Sequence, residues 1–408
     1  MVNKITTQIN FSNYTDFKSF SLYKDIEGLS GRFHVSVSPP DNMNKFIVDI
    51  YNPNSAIVID IDGEPIITGY IDNVEINYDT SSHEIVLSGR DKTADFIDST
   101  LESKTFNPPI GFIALLTKLL EIVGYTVVTP LKRIGFGSVL PANNKQISII
   151  NNAGAIESFS TSEGIQLRHS ESAYDLIRKM AEKRQLILSS DGQGNILIRK
   201  IGDEQALTIL QNIDQEGAAN NIKNGSVKID FTQRFNQYTI KSMLNPTSNG
   251  APFGSEESEV SNVGVAQSGS SFDDQVRSTR KYTAIGSSAM NSTDCKKRAT
   301  WQANIARTKG FYYCCEVVGF RQNLNEIKSL GYAGNPLWKP NQLVYVNDNF
   351  ANIDDELLIK SVTYSQDIQR GSITRLELVN KDSYSLSLFE PLLRKKVDKE
   401  ITASLFGE

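Results

Sequence analysis

In the first part of the chain apolar residues recur at every second position, in short runs separated by turn dipeptides. That pattern admits little other than a small β-structure. Val35-Ser-Val37 and Phe46-Ile-Val-Asp-Ile50 come first. Ile57, Ile59 and Ile61 then alternate with Val58, Asp60 and Asp62, the period-2 signature of a strand with one wet face near its end. Asp62-Gly63 is a hairpin dipeptide, and Pro65-Ile-Ile-Thr-Gly-Tyr-Ile71 returns from it. Val74-Glu-Ile-Asn77, the polar turn from Asp79 to Ser82, and Glu84-Ile-Val-Leu87 form another hairpin. Strands this short and this regularly spaced predict a small β-barrel over residues 1–100.

Residues 101–222 change character and read as an α+β insert domain with its own core. Asn107-Pro108-Pro109 breaks the chain, and an apolar helix is expected from Ile110 to Val123, stopped by Gly124. Ser172-Ala-Tyr-Asp175 reads as a capping sequence with Asp in the Glu position. Ala173, Leu176, Ile177, Met180 and Ala181 then share one helical face. A hairpin follows, Leu186-Ile-Leu188 and Ile196-Leu-Ile198 around the turn Asp191–Asn195.

Strands resume with Val227-Lys-Ile-Asp-Phe231 and Tyr238-Thr-Ile240, and residues 223–388 read as a second β-barrel domain. It carries a loop and a helical insert over 245–309. The run Asn245 to Gln275 holds Ser and Gly throughout with no Lys or Arg, which predicts a long mobile loop. A helix containing Cys295, Ala299, Trp301 and Ile305 is expected next. Further strands are expected at 311–320, 342–346, 356–364 and 372–379. These last stretches echo the first ones. Val344-Tyr-Val-Asn-Asp348, Leu357-Leu-Ile-Lys360 and Val362-Thr-Tyr364 follow the order of Val58–Gly63, Ile66–Ile71 and Val74-Glu-Ile76. One barrel used twice, with an insert between, is the expected architecture: mainly β with α+β inserts.

Residues 389–408 read as a C-terminal helical tail. Pro391 suits a first helical position. Leu393, Val397, Ile401 and Leu405 make an apolar stripe, flanked by Arg394, Lys395, Lys396 and Lys399. An isolated helix of this length is marginal in water, so the stripe either folds back on its own subunit or docks on a partner.

Several functions are disfavoured by what the sequence lacks. Its 42 basic and 47 acidic residues give a net charge of −5, and the only short basic run before the tail is Lys296-Lys297-Arg298. Gripping nucleic acid through phosphates needs clustered cations, which are missing; a neutral or acidic lumen would let a strand slide. The N-terminal residues show no cationic region before an apolar run, so no signal peptide is expected, and no segment is apolar enough for a bilayer. Synthesis in the cytoplasm, and retention there until assembly, are therefore expected. Three dispersed cysteines, Cys295, Cys314 and Cys315, lack zinc spacing and read as buried small hydrophobes. His34, His83 and His169 are isolated from any nucleophile or second ligand. Asp60-x-Asp62-Gly63 opens like a calcium loop, but the distal Glu is missing and a hairpin explains both acids. Gly192-x-Gly194 lies between strands, where a turn accounts for it better than a phosphate cradle. Glu256-Glu257 falls in the expected loop, unsuited to acid–base work. No catalytic, cofactor or metal residue is predicted, and the chain is not expected to be an enzyme.

Four ordered stretches carry a family resemblance. Thr68-Gly-Tyr-Ile-Asp-Asn-Val74 leads to Ser88-Gly-Arg-Asp-Lys-Thr-Ala-Asp-Phe-Ile-Asp98. Ser172–Ala181 leads through Gln185–Leu188 to Gly192-Gln-Gly-Asn-Ile196. Ala299–Arg307 follows. Leu337-Trp-Lys-Pro340, Val344–Asp348, Leu357–Tyr364 and Gly371–Leu376 close the set. In this order they resemble the baseplate hub proteins of Mu-like contractile phages, which are similar to hub parts of other contractile tails and of type VI secretion spikes. The resemblance implies a ring-forming homotrimer with two similar barrels per chain, placed in the tail baseplate of the virion. It also implies, as partners, a sixfold tail tube protein, a threefold central spike protein and other baseplate proteins. DNA would pass through the channel without specific binding. Two other readings stand beside it: a receptor- or carbohydrate-binding tail protein, and a cell-wall-degrading baseplate enzyme.

Overall fold

Alternation of buried and wet side chains builds the first seven strands. A computed structural model describes residues 4–9, 12–14, 17–37, 50, 55–80, 83–128, 145–156, 158–159, 165–182, 184, 186–242, 267–285, 292–322 and 335–381. Strands β1 (Ile5–Ile9), β2 (Ser12–Tyr14), β3 (Phe17–Asp25) and β4 (Arg32–Val37) precede β5 (Ala56–Ile61), β6 (Glu64–Tyr78) and β7 (His83–Asp91). Ile57, Ile59 and Ile61 are fully buried, as their alternation requires. The turn from β5 to β6 places Asp62 and Gly63 at φ 52° and 83°, the pair of positive angles that a type I′ hairpin needs. Strand β6 runs for 15 residues, so it outreaches β5 and continues alongside β7 alone.

The helical segment follows. It holds α1 (Ala94–Asp98), β8 (Lys104–Phe106), α2 (Phe112–Val123), β9 (Thr126–Val128), β10 (Gln146–Asn151), β11 (Ile165–Leu167), α3 (Ala173–Glu182), β12 (Leu186–Ser190) and β13 (Ile196–Lys200). Helix α2 ends where expected, with Gly124 in the left-handed conformation at φ 104°. Leu115, Leu116, Leu119 and Leu120 are fully buried, and each such leucine contributes about 1.5–3 kcal/mol of apolar burial. The Asp175 amide donates to Ser172 Oγ at 3.0 Å, so the expected cap of α3 is formed. Strands β12 and β13 make the expected hairpin, Leu188 opposite Ile198. These elements share one apolar core that includes Phe112, Phe159 and Ile177.

Strands β14 (Glu204–Gln205), β15 (Leu210–Asn212) and β16 (Ile222–Ile229) lead to β17 (Gln237–Ser242), β18 (Gln267–Phe272), β19 (Lys281–Ile285) and helix α4 (Ser292–Gly310). Gln267–Phe272 was expected within a mobile loop; it is a strand paired along its whole length with β17. Its polar Ser-Gly sequence hides the pattern, since Thr239 and Ser270 pair through their hydroxyls rather than by apolar packing. Helix α4 lies close on this three-stranded sheet because its inner face is small: Cys295, Ala299 and Ala303 are fully buried against Tyr238 and Ile240.

The chain closes with β20 (Phe311–Val318), β21 (Gln342–Asp348), β22 (Ile353–Asp367) and β23 (Gly371–Asn380). Neighbours in the large sheet run β16-β20-β23-β22-β3-β4-β7-β6-β5-β1-β2, with β21 beside β22. The fold is mainly β, as expected. The two closed barrels are not: among the described residues the sheet is one open path. The reason is β3, which comes from the first strand set yet pairs with β22 of the second, Leu22 opposite Tyr364. By contacts the chain divides into a larger unit, within Met1–Gly225, Cys314–Phe350 and Leu358–Leu378, and a smaller one, within Ser226–Tyr313, Ala351–Leu357 and Val379–Glu408. No helix among the described residues is long and apolar enough to cross a membrane.

Candidate functional site

In the larger unit two sequence stretches that carry the family resemblance zip together as β6 and β7, with Gly69 opposite Asp91, Tyr70 opposite Arg90 and Ile71 opposite Gly89. The glycines are required by approach. A Cβ on Gly69 would stand 1.9 Å from the Arg90 carbonyl oxygen, and one on Gly89 2.1 Å from that of Tyr70. Arg90, Asp91 and Lys92, the next three residues, each have a fixed partner. The Arg90 guanidinium pairs with Asp72 at 2.7 Å and with both oxygens of Asp98. This holds the Asp98 carboxyl below the usual carboxylate range. Asp91 accepts from the Thr93 amide at 3.1 Å and from Ser190 Oγ at 2.7 Å. Lys92 Nζ donates to the Gln146 carbonyl, and Tyr125 Oη donates to that of Lys92. Asp91 is 1% exposed, and burial pushes its carboxyl up while neutral donors and Lys24 pull it down. This is a polar seam that fixes the helical segment to the strands.

Beside the seam lies a cavity of about 290 Å³, lined among others by Lys24, Glu64, Asp191, Arg199, Lys339 and Asn341. Its charges are largely spent on one another. Arg199 pairs with Asp203 and Glu204, at 2.6 and 2.7 Å. Glu64 faces Arg321 and Lys339. Asp191 accepts from the amides of Gln193 and Asn195, which shapes the turn carrying Gly192 and Gly194. Thr68 Oγ1 donates to the Gly192 carbonyl, so this glycine pair packs as a turn, as expected, on the β6 strand. Burial pushes the Lys24 ammonium below its ordinary range. Such an arrangement locks segments in place.

The smaller unit holds a different ionic site. Asp273 is fully buried and accepts from Arg234 at 2.7 Å and from Arg307 at 3.2 Å. The two arginines outweigh desolvation and hold its carboxyl below the ordinary value. Arg234 also stacks 4.9 Å over the Phe231 ring. Sequence reading missed this trio because its members lie far apart in the chain and each is an ordinary polar residue locally.

Leu393, Val397, Ile401 and Leu405 lie outside the described residues, as do Glu256 and Glu257. Asp62 accepts from the Lys4 amide and from Arg321, so it anchors the hairpin tip. His34 and His83 sit on β4 and β7, the latter stacked on Tyr78. Cys295, Cys314 and Cys315 are free and buried, and burial pushes the thiols of Cys314 and Cys315 up, away from nucleophilic use. Among the described residues no three His, Cys, Asp or Glu side chains could hold a metal ion.

Comparison with known proteins agrees with the zipped motif. A model of the N-terminal domain of Mu phage baseplate assembly protein GpP-like matches residues 4–91, and one of the fourth domain of Mu phage baseplate assembly protein GpP matches residues 291–387. Baseplate hub protein gp44 of Escherichia phage Mu is 23% identical over 385 residues, covering 94% of this chain and 89% of that protein. The chain is related to the Mu-like baseplate hub proteins. Two solved structures share the fold. The 43 kDa tail protein of prophage MuSo2 from Shewanella oneidensis gives a TM-score of 0.70 at 22% identity, covering 93% of this chain and 99% of that one. The tail protein from Neisseria meningitidis MC58 gives 0.68 at 15% identity, covering 94% and 98%. The first family match coincides with β1–β7 and the second takes in α4 and β20–β23. This relation supports a structural role in a phage baseplate and a place in the virion.

Proposed function

We propose that the chain is the baseplate hub of a contractile tail: a homotrimer that joins a sixfold tail tube to a threefold central spike around a channel for DNA. One observation carries this reading. The strand set β3, β4, β5, β6, β7 and the set β16, β20, β21, β22, β23 follow the same order in the chain and the same order in the sheet, first-second-fifth-fourth-third. One chain thus holds the same five-strand set twice. Three such chains present six similar sets, so duplication lets a threefold ring meet a sixfold tube. The role is geometric, and no bond is made or broken. On this reading residues 1–100 and 223–388 carry the two sets, 101–222 the helical insert, and 389–408 a tail whose stripe Leu393, Val397, Ile401 and Leu405 docks on a baseplate partner.

The channel is read as neutral to acidic, in keeping with the net charge of −5. Mixing the purified chain with the tube and spike proteins of the same particle tests the role. A ternary complex that sediments together only when this chain is present is the expected result. Association of tube and spike without it would contradict the role.

A further inference from the structure

The two five-strand sets are alike, yet only one of two equivalent edges is filled. In the second set, β21 lies beside β22, and β3 takes the later half of β22, from Ser361 to Asp367. In the first set β5 covers the start of β6, its pairing ending with Ala56 opposite Tyr70. Among the described residues no strand lies beside Asp72–Tyr78 on the edge away from β7. The strand equivalent to β3 is β16, and among the described residues it ends the sheet path with no strand on its other edge. Its residues Lys223–Ile229 are exposed on both faces. Val227 and Ile229, 36% and 43% exposed, fall on one side of it, an apolar pair left in water.

We infer that β16 of one copy of this chain pairs, antiparallel, with the open edge of β6 in a second copy, as β3 pairs with β22 inside each chain. This rests on the reading that the chain assembles head to tail into a ring.

The register follows from the pairings. In the first set the line of paired residues runs Phe20, Val35, Leu87, Val74. In the second, we extend the line without a bulge from the Asp230 amide bond to Gly310, the Gly319 amide bond to Ser372 and the Ser361–Glu377 side-chain bond, which gives Gly225, Cys315, Leu376, Val362. Val227 thereby takes the place of Leu22, and Ile76 that of its partner Tyr364. Carried across, Val227 faces Ile76, Ile229 faces Val74, and on the other face Lys228 opposes Glu75. Apolar meets apolar and opposite charges meet, which is the pattern that stabilises a cross-strand pair. A joint between unlike edges is heterologous, so it closes a ring or runs on as a filament.

The test is a cysteine pair, Ile76→Cys with Val227→Cys, in the full chain. Opposed Cβ atoms in a strand pair lie within reach of a disulfide. Mild oxidation should give reductant-sensitive dimers and trimers on denaturing gels, and neither single variant should. If the protein is trimeric by native mass but forms no such link, the joint is wrong and the ring reading survives. If the link forms only within one chain, the joint is likewise overturned. If no trimer forms, the ring reading itself fails and the joint with it. A charge swap guards against misfolding. Lys228→Glu should weaken assembly on the order of fivefold, and adding Glu75→Lys should restore it. Failure of the second change to restore assembly would count against the joint.

Discussion

Two strands of equal length, β6 and β22, meet opposite fates over their later halves. Both run for 15 residues. Val362 and Tyr364 on β22 are only 0% and 2% exposed, because β3 lies alongside and seats the fully buried Leu22 there. Their counterparts on β6, Val74 and Ile76, are only half-buried, and Tyr78 is 77% exposed. The sequence pattern is alike, so the difference lies in what comes to the edge. A strand edge is a template whose use depends on the neighbour supplied, from within the chain or from outside it.

Substitutions at the filled edge should hurt most. Leu22→Ala leaves a cavity in the β3–β22 joint and should lower the stability of the isolated chain by about 2–5 kcal/mol in denaturant unfolding. Asp273→Asn comes next. It takes the carboxylate from the buried Arg234 and the partly buried Arg307, and because Arg234 holds Phe231 it also loosens the chain just after β16. A loss of about 3 kcal/mol is expected, confined to the smaller unit and visible as faster hydrogen exchange there. The same site has an acid limit. The Asp273 carboxyl is depressed in the fold, so its stabilisation is full above the unfolded value near ~4 and is lost as pH falls through the lower folded value. Thermal scans from neutral pH downward should therefore show the smaller unit weakening first.

Ile229→Ala, at the open edge, should change the isolated chain by no more than about 0.5 kcal/mol while weakening assembly. An equal destabilisation of isolated chain and assembly would erase the contrast between the edges. The smallest effect on the subunit is expected from ending the chain at residue 389, which should leave the melting temperature in place and loosen partner association. A large drop in melting temperature would assign the stripe Leu393, Val397, Ile401 and Leu405 to the subunit's own core.

Much of the fold was legible because its signals are local. The Asp62-Gly63 turn, the Gly124 stop and the Ser172 cap each act within a few residues, and each is where it was expected. The repeat was legible only in part. Val344–Tyr364 shares apolar spacing with Val58–Ile76, but β16 and β20 are separated by the inserted β17, β18, β19 and α4, so their kinship with β3 and β4 emerges only from the sheet order. The open path was not legible either, since nothing in Phe17–Asp25 announces that it will pair with residues more than three hundred positions later. Polar partners such as Asp91 with Ser190 and Asp273 with Arg234 were hidden for the same reason.

The central claim is that duplicated strand sets let three chains build a ring for a sixfold tube. Native mass measurement of the 408-residue chain, followed by cryo-electron microscopy of the same sample, tests it most directly. The account predicts three copies of the 45.3 kDa chain in a closed ring whose six strand sets stand at near-equal angles. A stable dimer or tetramer, or a trimer whose strand sets do not alternate around the axis, would contradict it.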